Sequence, residues 1–440
     1  MVKMIKIGKH ILGVALAIAL LSMTPSCSRE PDYKSTREVV QDVETGMSYE
    51  VIRNPSEPLY GEKGSAEKVL EIGDPGLTEG ADENYIFAYI RDVSFRDDTI
   101  YVADKLEESI RVFDSDGVYQ RAIGGKGQGP GEFSWIRNIY VDDDGFVYAY
   151  ERNGSLHIFN NDYEFLRKRN IKSLVKGLTE INDIASIDPE NFLLHCSFRY
   201  PMSIPGVTDM HSNENEDLFV RLNKDGEWFS FGPSRGYPGF EKSIESLKRA
   251  TPPGGSMDYN IYFSMLLSHK NMFLDQEDKL LYSSTKAFPP RVVVHSSDDG
   301  RILRIIERGS AKNEPFYITQ KVDFKESFNT PEIPFHMTDK LTKHYYFREE
   351  GMGIFADDAN IYNVYKRRSM EGDSLRVQYF MDIFDLSGTY KQRVPLNMEI
   401  GSNFGGMDDG GNVVVFRRDP WPVIEKYQLI GLGKNKKKKK

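Results

Sequence analysis

Several kinds of sequence feature that would point to a function are scarce in this chain of 440 residues. Two cysteines are too few for a disulfide-stabilised fold, so burial and strand pairing must hold the structure together. The net charge of −9 argues against nucleic-acid binding, because contacts to phosphates need a basic surface. HExxH and CxxC motifs are absent, the histidines show no metal-ligand spacing, and long amphipathic helical patterns are rare. The sequence therefore predicts no metal site, no cofactor and no nucleic-acid partner.

The amino terminus has the pattern of a secretory signal over residues 1–26. Three early lysines precede an apolar run, Ile11–Met23, that is too short to span a bilayer comfortably. Small and turn-forming residues then lead to Cys27. This arrangement resembles a bacterial lipoprotein signal, which implies that Cys27 is the lipidated first residue of the mature chain. Plain secretion with an unmodified Cys27 and a short amino-terminal anchor are the alternatives.

The clearest structural signal is the segment Ile110–Phe133, IRVFDSDGVYQRAIGGKGQGPGEF. Two stretches with alternating apolar residues flank Asp114–Gly117, a polar turn of the kind that closes a β-hairpin. The glycine-rich stretch Gly124–Gly131 invites comparison with a phosphate-binding loop. That loop needs Gly-Lys-Ser/Thr at the start of a helix, whereas Glu132 begins another strand here. The glycines are therefore expected to form the bend between two structural units.

Internal repeats organise the rest of the chain. Asp92–Ala103 aligns with Asn138–Ala149, and each segment reads as a strand, an acidic turn and a second strand. The acidic turns lack the spaced carboxylates of a calcium-binding loop, so they are interpreted as hairpin turns. The pattern recurs more loosely from Asn182, Asn271, Gly353 and Met407.

These repeats and the loop Gly124–Phe133 resemble the six-bladed β-propeller lipoproteins of Gram-negative bacteria, whose blades are similar to NHL repeats. The resemblance implies an all-β fold of six four-stranded antiparallel blades over residues 65–432. The last repeat supplies no fourth strand, whereas Glu67–Ile72 reads as a strand without a blade of its own. We therefore expect this amino-terminal strand to complete the last blade and close the ring. Residues 27–64 are interpreted as a tether, and the lysine-rich residues 433–440 as a disordered tail.

Polar residues recur where the innermost strand of each of the first four repeats begins. In a propeller these strands line the central channel, so their first residues are expected to converge on one axis. Such a ring would suit a ligand that carries carboxylate, sulfate or phosphate. The alternative is that these side chains bond neighbouring blades and fill a wet channel. The candidate ligand-binding residues are Arg91, Asp92, Arg137, Asn138, Asn182, Asp183, Lys270 and Asn271.

The leading functional hypothesis is a non-catalytic propeller of the cell envelope, anchored in the outer membrane through lipid on Cys27. It would bind an anionic glycan, a peptide or an envelope protein. Aromatic clusters around Tyr259 and Tyr345 are a second place to expect a ligand. Similar six-bladed propellers include lactonases and lyases with a metal in the channel, so an enzyme is the first alternative. A structural scaffold of an envelope complex is the second.

Overall fold

The computed structural model describes residues 34–41, 46–74, 80–105, 107–188, 190–201, 213–231, 272–284, 291–309, 316–321, 341–346, 349–372, 374–408 and 410–432. All of them belong to one compact unit that begins at Lys34. Strands dominate, and the helical pieces within these ranges are a 3₁₀ turn at Glu83–Tyr85 and one α-helical turn at Ile171–Leu174. Across the same residues, no helix has the length and apolar character needed to cross a membrane.

Three strands precede the first complete blade. β1 (Thr36–Gln41) and β2 (Ser48–Asn54) form an antiparallel hairpin, and β3 (Ser65–Ile72) follows after an irregular segment. β1 is almost wholly exposed, whereas β2 buries Val51 and Ile52. β2 therefore contributes to a hydrophobic core.

Blades 1 and 2 are antiparallel sheets whose strands follow one another in chain order. The predicted hairpin turn is present, because Asp114 Oδ1 accepts hydrogen bonds from the backbone N–H of Asp116 (3.1 Å) and Val118 (2.8 Å). Blade 1 comprises β4 (Ile90–Arg96), β5 (Thr99–Asp104), β6 (Ser109–Phe113) and β7 (Tyr119–Ile123). Blade 2 comprises β8 (Ile136–Val141), β9 (Val147–Glu151), β10 (Ser155–Phe159) and β11 (Phe165–Asn170).

Blades 3 to 5 repeat this plan, and blades 3 and 5 have longer strands. Blade 3 comprises β12 (Leu178–Asp188), β13 (Asn191–Pro201), β14 (Asn213–Leu222) and β15 (Trp228–Phe231). Blade 4 comprises β16 (Met272–Asp275), β17 (Leu280–Ser284), β18 (Val292–Ser296) and β19 (Ile302–Arg308). A separate hairpin of β20 (Phe316–Lys321) and β21 (Leu341–Tyr346) follows. Blade 5 comprises β22 (Glu349–Ala356), β23 (Asn360–Glu371), β24 (Ser374–Asp385) and β25 (Tyr390–Leu396).

Blade 6 is built from both ends of the propeller. It comprises β26 (Asn403–Met407), β27 (Val413–Arg417), β28 (Val423–Ile430) and β3. β3 pairs antiparallel with β28, so the amino-terminal strand supplies the missing outer strand. The innermost strands β4, β8, β12, β16, β22 and β26 contact each other in that order, and β26 returns to contact β4. The predictions of six four-stranded blades and of closure by an amino-terminal strand are confirmed.

The strands are apolar on both faces because each blade packs between two neighbours. Along β5, Tyr101 and Ala103 belong to the core shared with blade 2. The alternate residues Ile100 and Val102 belong to the core shared with blade 6. Alternate residues of β5 therefore point to two different buried faces. In a sheet with one solvated face, they would alternate between the core and the solvent.

The tether interpretation of residues 27–64 is wrong for Thr36–Gln41 and Ser48–Asn54, which form strands. β2 pairs in parallel with β19, the outer strand of blade 4, so that sheet has six strands with β1 at its edge. The physical reason is that an outer strand has one unpaired edge, and β2 satisfies its backbone groups. Asn54 extends this contact to blade 5, because its Nδ2 donates to Glu307 O (3.1 Å) and to Gly388 O (3.0 Å).

The segment that connects β2 to β3 also lies against a blade. The N–H groups of Leu59 and Tyr60 donate to the carbonyl groups of Tyr390 (3.1 Å) and Lys391 (2.8 Å) on β25. Residues 48–72, which we call the amino-terminal strap, therefore follow the outer edges of blades 4, 5 and 6 in turn.

Candidate ligand site at the mouth of the central channel

The first residues of the inner strands surround a cavity of about 530 Å³, which we call the mouth. Four of the predicted residues, Arg91, Arg137, Asn138 and Asn182, line this cavity together. Residues from blades 5 and 6 complete its wall. The alignment of repeats thus located positions that the ring of blades brings to one place.

Asp92 does not face the mouth, and it acts as a link between blades. Its side chain is fully buried, with Oδ1 accepting from the N–H of Val93 (2.6 Å) and Oδ2 from the N–H of Ile139 (3.0 Å). The second bond joins blade 1 to blade 2. For Asp92 the ligand-binding prediction is therefore corrected, since the bonds across the blade boundary match the structural alternative. Asn138 makes a similar link while lining the mouth, because its Nδ2 donates to Asn182 O (2.9 Å).

Asp183 lies one level deeper in the channel. It lines a second cavity of about 160 Å³, which we call the inner chamber. Its Oδ1 accepts from the N–H of Ile184 (2.9 Å), and burial raises the pKa of its carboxyl to about 7. Unlike the aligned Asp92, it therefore presents a titratable group to the channel interior.

Three predicted positions fall outside the described residues. These are Lys270 and Asn271 of the channel ring and the lipidation candidate Cys27. They remain predictions.

Arg91 is held between two aromatic rings at the mouth. Its guanidinium carbon lies 4.8 Å from the centroid of Tyr89 and 5.1 Å from that of Trp135. No described carboxylate forms a salt bridge with Arg91, and its Nε is buried without a hydrogen-bond partner. Aromatic faces attract a cation and fix its position, but they leave the N–H groups of the guanidinium to bind something else.

The stack continues to either side of Arg91. Arg152 lies 4.7 Å from the centroid of Trp135, and Arg418 lies 4.4 Å from that of Tyr89. Arg418 is further fixed by donation from its Nε to Ile90 O (2.9 Å), which joins blade 6 to blade 1. Arginines and aromatic rings therefore alternate across blades 2, 1 and 6, and we call Tyr89, Arg91, Trp135, Arg152 and Arg418 the cationic stack.

The mouth carries an excess of positive charge within an acidic protein. Five cationic side chains and two carboxylates line it, and the carboxylates are already engaged. Glu180 pairs with Arg137, and Glu350 lies 3.3 Å from Lys366 Nζ. The three arginines of the cationic stack form no salt bridge with a described carboxylate, although Glu108 attracts Arg91 and Asp419 attracts Arg418 at longer range.

The charges at the mouth also repel one another. Burial lowers the pKa of Arg418, and the positive charge of the nearby Arg91 lowers it further. Burial likewise lowers the pKa of Arg137, and repulsion from the positive charges of Arg152 and Arg91 lowers it further. An anion bound among these groups would relieve the repulsion, so the site favours a negatively charged ligand.

Sequence reasoning missed Tyr89, Trp135, Arg152 and Arg418, although a signal was available. The two aromatic residues each stand two positions before an arginine, in Tyr89-Ile-Arg91 and Trp135-Ile-Arg137. Arg152 and Arg418 each directly follow the second strand of a blade. Comparison of these two repeat positions would have identified the cationic stack. Within the described part of the chain, no group of three or more His, Cys, Asp or Glu side chains could hold a metal ion.

Comparisons with known proteins bear on the fold. A family model, DUF5128, described as a 6-bladed beta-propeller, matches residues 79–202, which span blades 1 and 2 and the first half of blade 3. No curated protein matches significantly.

Solved structures with similar folds cover most of the chain at low identity. A member of the DUF4221 family from Bacteroides vulgatus is 9% identical with a TM-score of 0.49, over 83% of this chain and 98% of that chain. A gluconolactonase from Xanthomonas campestris is 10% identical with a TM-score of 0.39, over 78% and 86%. BamB from Moraxella catarrhalis is 9% identical with a TM-score of 0.36, over 82% and 99%. The matched family model and the observed ring of blades agree that the chain is a six-bladed β-propeller.

Proposed function

We propose that this propeller is a non-catalytic binding module of the cell envelope, which takes an anionic ligand at the mouth of its channel. The ligand is the carboxylate, sulfate or phosphate group of a glycan or peptide, or an acidic side chain of an envelope protein. The observation that carries the proposal is Arg91, which is fixed between Tyr89 and Trp135 and forms no salt bridge with a described carboxylate.

The rigid placement of the arginines supports binding. An arginine that must be ordered when a ligand arrives loses side-chain entropy, whereas the cationic stack is already ordered by its aromatic neighbours. Guanidinium groups then bind oxyanions through paired, charge-assisted hydrogen bonds. Trp135 is 40% exposed, so part of its ring is also accessible to a sugar or an apolar group.

Envelope localisation is supported by the sequence of the amino terminus. The signal over residues 1–26 and the cysteine at its end, Cys27, favour export followed by lipidation. A lipid anchor would hold the propeller at the membrane, where the ligand or partner is encountered.

The test is a calorimetric titration with an oligogalacturonate, an oligoglutamate and a neutral maltooligosaccharide of equal length. We expect the protein to bind one or both anionic probes and to ignore the neutral probe. Replacing Arg91 and Arg152 together by Ala should weaken anion binding at least about tenfold, because two charge-assisted interactions are lost. Arg301→Ala removes the same kind of charge from an exposed turn of blade 4 and serves as the matched control.

The melting temperature of the double variant should change little, because the loss of the cation–π contacts of Arg91 and Arg152 is offset by relief of the repulsion between the guanidinium groups. Anion binding that is equal in the wild type and the double variant would overturn the proposal. Recovery of the probes unchanged after incubation separates binding from the enzymatic alternative, in which products would accumulate.

A further inference from the structure

The mouth and the inner chamber are consecutive depths of one channel. On β4 the mouth is lined by Arg91 and the chamber by Val93, and on β12 the corresponding residues are Asn182 and Asp183. Phe404 of β26 lines both cavities. Because a strand advances by about 3.3 Å per residue, one ligand a few ångströms long can occupy both depths.

The two depths differ in charge. The mouth is cationic, whereas most residues that line the chamber have aliphatic or aromatic side chains, although polar atoms make up about half of the surface that it exposes. All six inner strands contribute to these walls, which include Phe95, Met272, Phe273 and Phe355. The volume of about 160 Å³ is close to that of an apolar cavity of about 150 Å³ that holds benzene. The chamber therefore has room for one aromatic ring or a short acyl chain.

We infer that the ligand is an amphipathic monoanion, whose anionic group binds at the cationic stack and whose apolar group, of about six carbons, passes Phe404 into the inner chamber. This inference rests on the proposed function and names the chemical class of its ligand. Burial of the apolar group supplies affinity, and the arginines at the mouth supply selectivity for the charge.

Asp183 determines which end of the ligand enters the chamber. Its carboxyl lies in the wall of the chamber and is ionised above pH 7, so under those conditions a second anionic group would meet a like charge there. A ligand with negative charge at both ends is disfavoured for that reason. A ligand with a single negative charge at the mouth contacts the arginines there and places no charge near Asp183.

The experiment is a titration with acetate, butanoate, hexanoate and octanoate at constant ionic strength. If the chain enters the chamber, affinity should rise by up to about fourfold per methylene, up to roughly six carbons, and then level off. Adipate, which has six carbons and two carboxylates, should bind more weakly than hexanoate.

Two variants distinguish binding at the mouth from binding in the chamber. Ser94 lines the chamber and is partly buried on β4, so Ser94→Leu fills space there and should abolish the dependence on chain length while leaving acetate binding unchanged. Arg91→Ala should weaken the whole series by a similar factor. A wild-type series in which all four carboxylates bind equally would overturn this inference and leave anion binding at the mouth intact. Failure of every carboxylate to bind would overturn the inference and the proposed function together. If Ser94→Leu does not fold, the wild-type series alone distinguishes equal binding of all four carboxylates from no binding.

Discussion

At the scale of single residues, the mouth shows how a cluster of like charges is held together without carboxylates. Arg91 contacts two rings, and the neighbouring Arg152 and Arg418 each contact one of the same rings. Each cation–π contact contributes roughly 0.5–2 kcal/mol, depending on how far it is desolvated. The rings thus offset part of the repulsion between guanidinium groups. The N–H groups of Arg418 also donate to the backbone of blade 1, so those of Arg91 and Arg152 are the ones proposed to bind a ligand.

The raised pKa of Asp183 predicts a dependence of stability on pH. Its carboxyl has a pKa of about 7 in the folded chain and about 3.9 when unfolded. Between these values the folded chain binds more protons, so the contribution of Asp183 to stability falls as the pH rises from about 4 to about 7.

We expect Asp183→Asn to remove this decrease in stability with rising pH, because the amide does not ionise. Relative to the wild type, the free energy of unfolding of the variant should rise by on the order of 2 kcal/mol between pH 5 and pH 8, as measured by urea denaturation. Asp162→Asn, in an exposed turn of blade 2, controls for the loss of one carboxylate. A difference between Asp183→Asn and the wild type that stays constant with pH would contradict the assignment.

The alignment of repeats predicted part of the mouth and not the rest. Arg91, Arg137, Asn138 and Asn182 were found because they occupy two successive repeat positions at the start of inner strands, which the ring of blades brings together. The sequence did not predict that the Asp92 carboxylate bonds to the next blade whereas that of Asp183 faces the chamber. The difference depends on whether a backbone N–H of the next blade lies within hydrogen-bond distance.

At the scale of elements, the amino-terminal strap is the feature that the sequence described least well. The closing strand β3 was predictable because the last repeat lacks a strand and a segment without a blade precedes the first repeat. β2 gave no comparable signal, since blade 4 already has four strands and the parallel pairing with β19 adds a fifth. A missing strand can be noticed in a sequence, whereas an additional one cannot.

Stepwise truncation tests the contribution of the strap. Chains that begin at Ser48, at Pro55 and at Asp74 lack β1, then β2, then β3. We expect the first truncation to have little effect, because β1 is exposed. The second should lower the melting temperature clearly, since Val51 and Ile52 lose their burial, worth about 1.5–3 kcal/mol each.

The third truncation should be the most damaging, because it opens the ring at blade 6. Thermal unfolding followed by circular dichroism provides the measurement. Equal melting temperatures for the chains that begin at Ser48 and at Pro55 would show that β2 adds nothing to the stability of blade 4.

At the scale of the whole molecule, side chains that cross blade boundaries connect the ring. Asp92 joins blade 1 to blade 2, Asn138 joins blade 2 to blade 3, and Arg418 joins blade 6 to blade 1. Arg308, at the end of β19, reaches from blade 4 to blade 5, where its Nε lies 2.5 Å from Asp382 Oδ2. These links, together with β3, tie the two ends of the chain into one closed ring.

The anchoring proposal belongs to the same scale. If Cys27 carries lipid, Cys27→Ser should move the protein from the membrane fraction to the soluble fraction. The buried acyl chains that the variant lacks contribute about 0.8 kcal/mol per CH₂ group, which no surface contact would replace. Fractionation and immunoblotting of cells provide the measurement, and a variant that stays in the membrane fraction would refute lipidation as the anchor.

The binding of an anion at the mouth is tested most directly by locating one. Crystals of the wild-type propeller soaked in selenate should show anomalous selenium density between Arg91, Arg152 and Arg418, where the guanidinium groups form no salt bridge with a described carboxylate. The same soak of the Arg91→Ala/Arg152→Ala variant should leave that position empty. Density confined to other surfaces of the wild type, with none at the mouth, would contradict the claim that the channel mouth is built to bind anions.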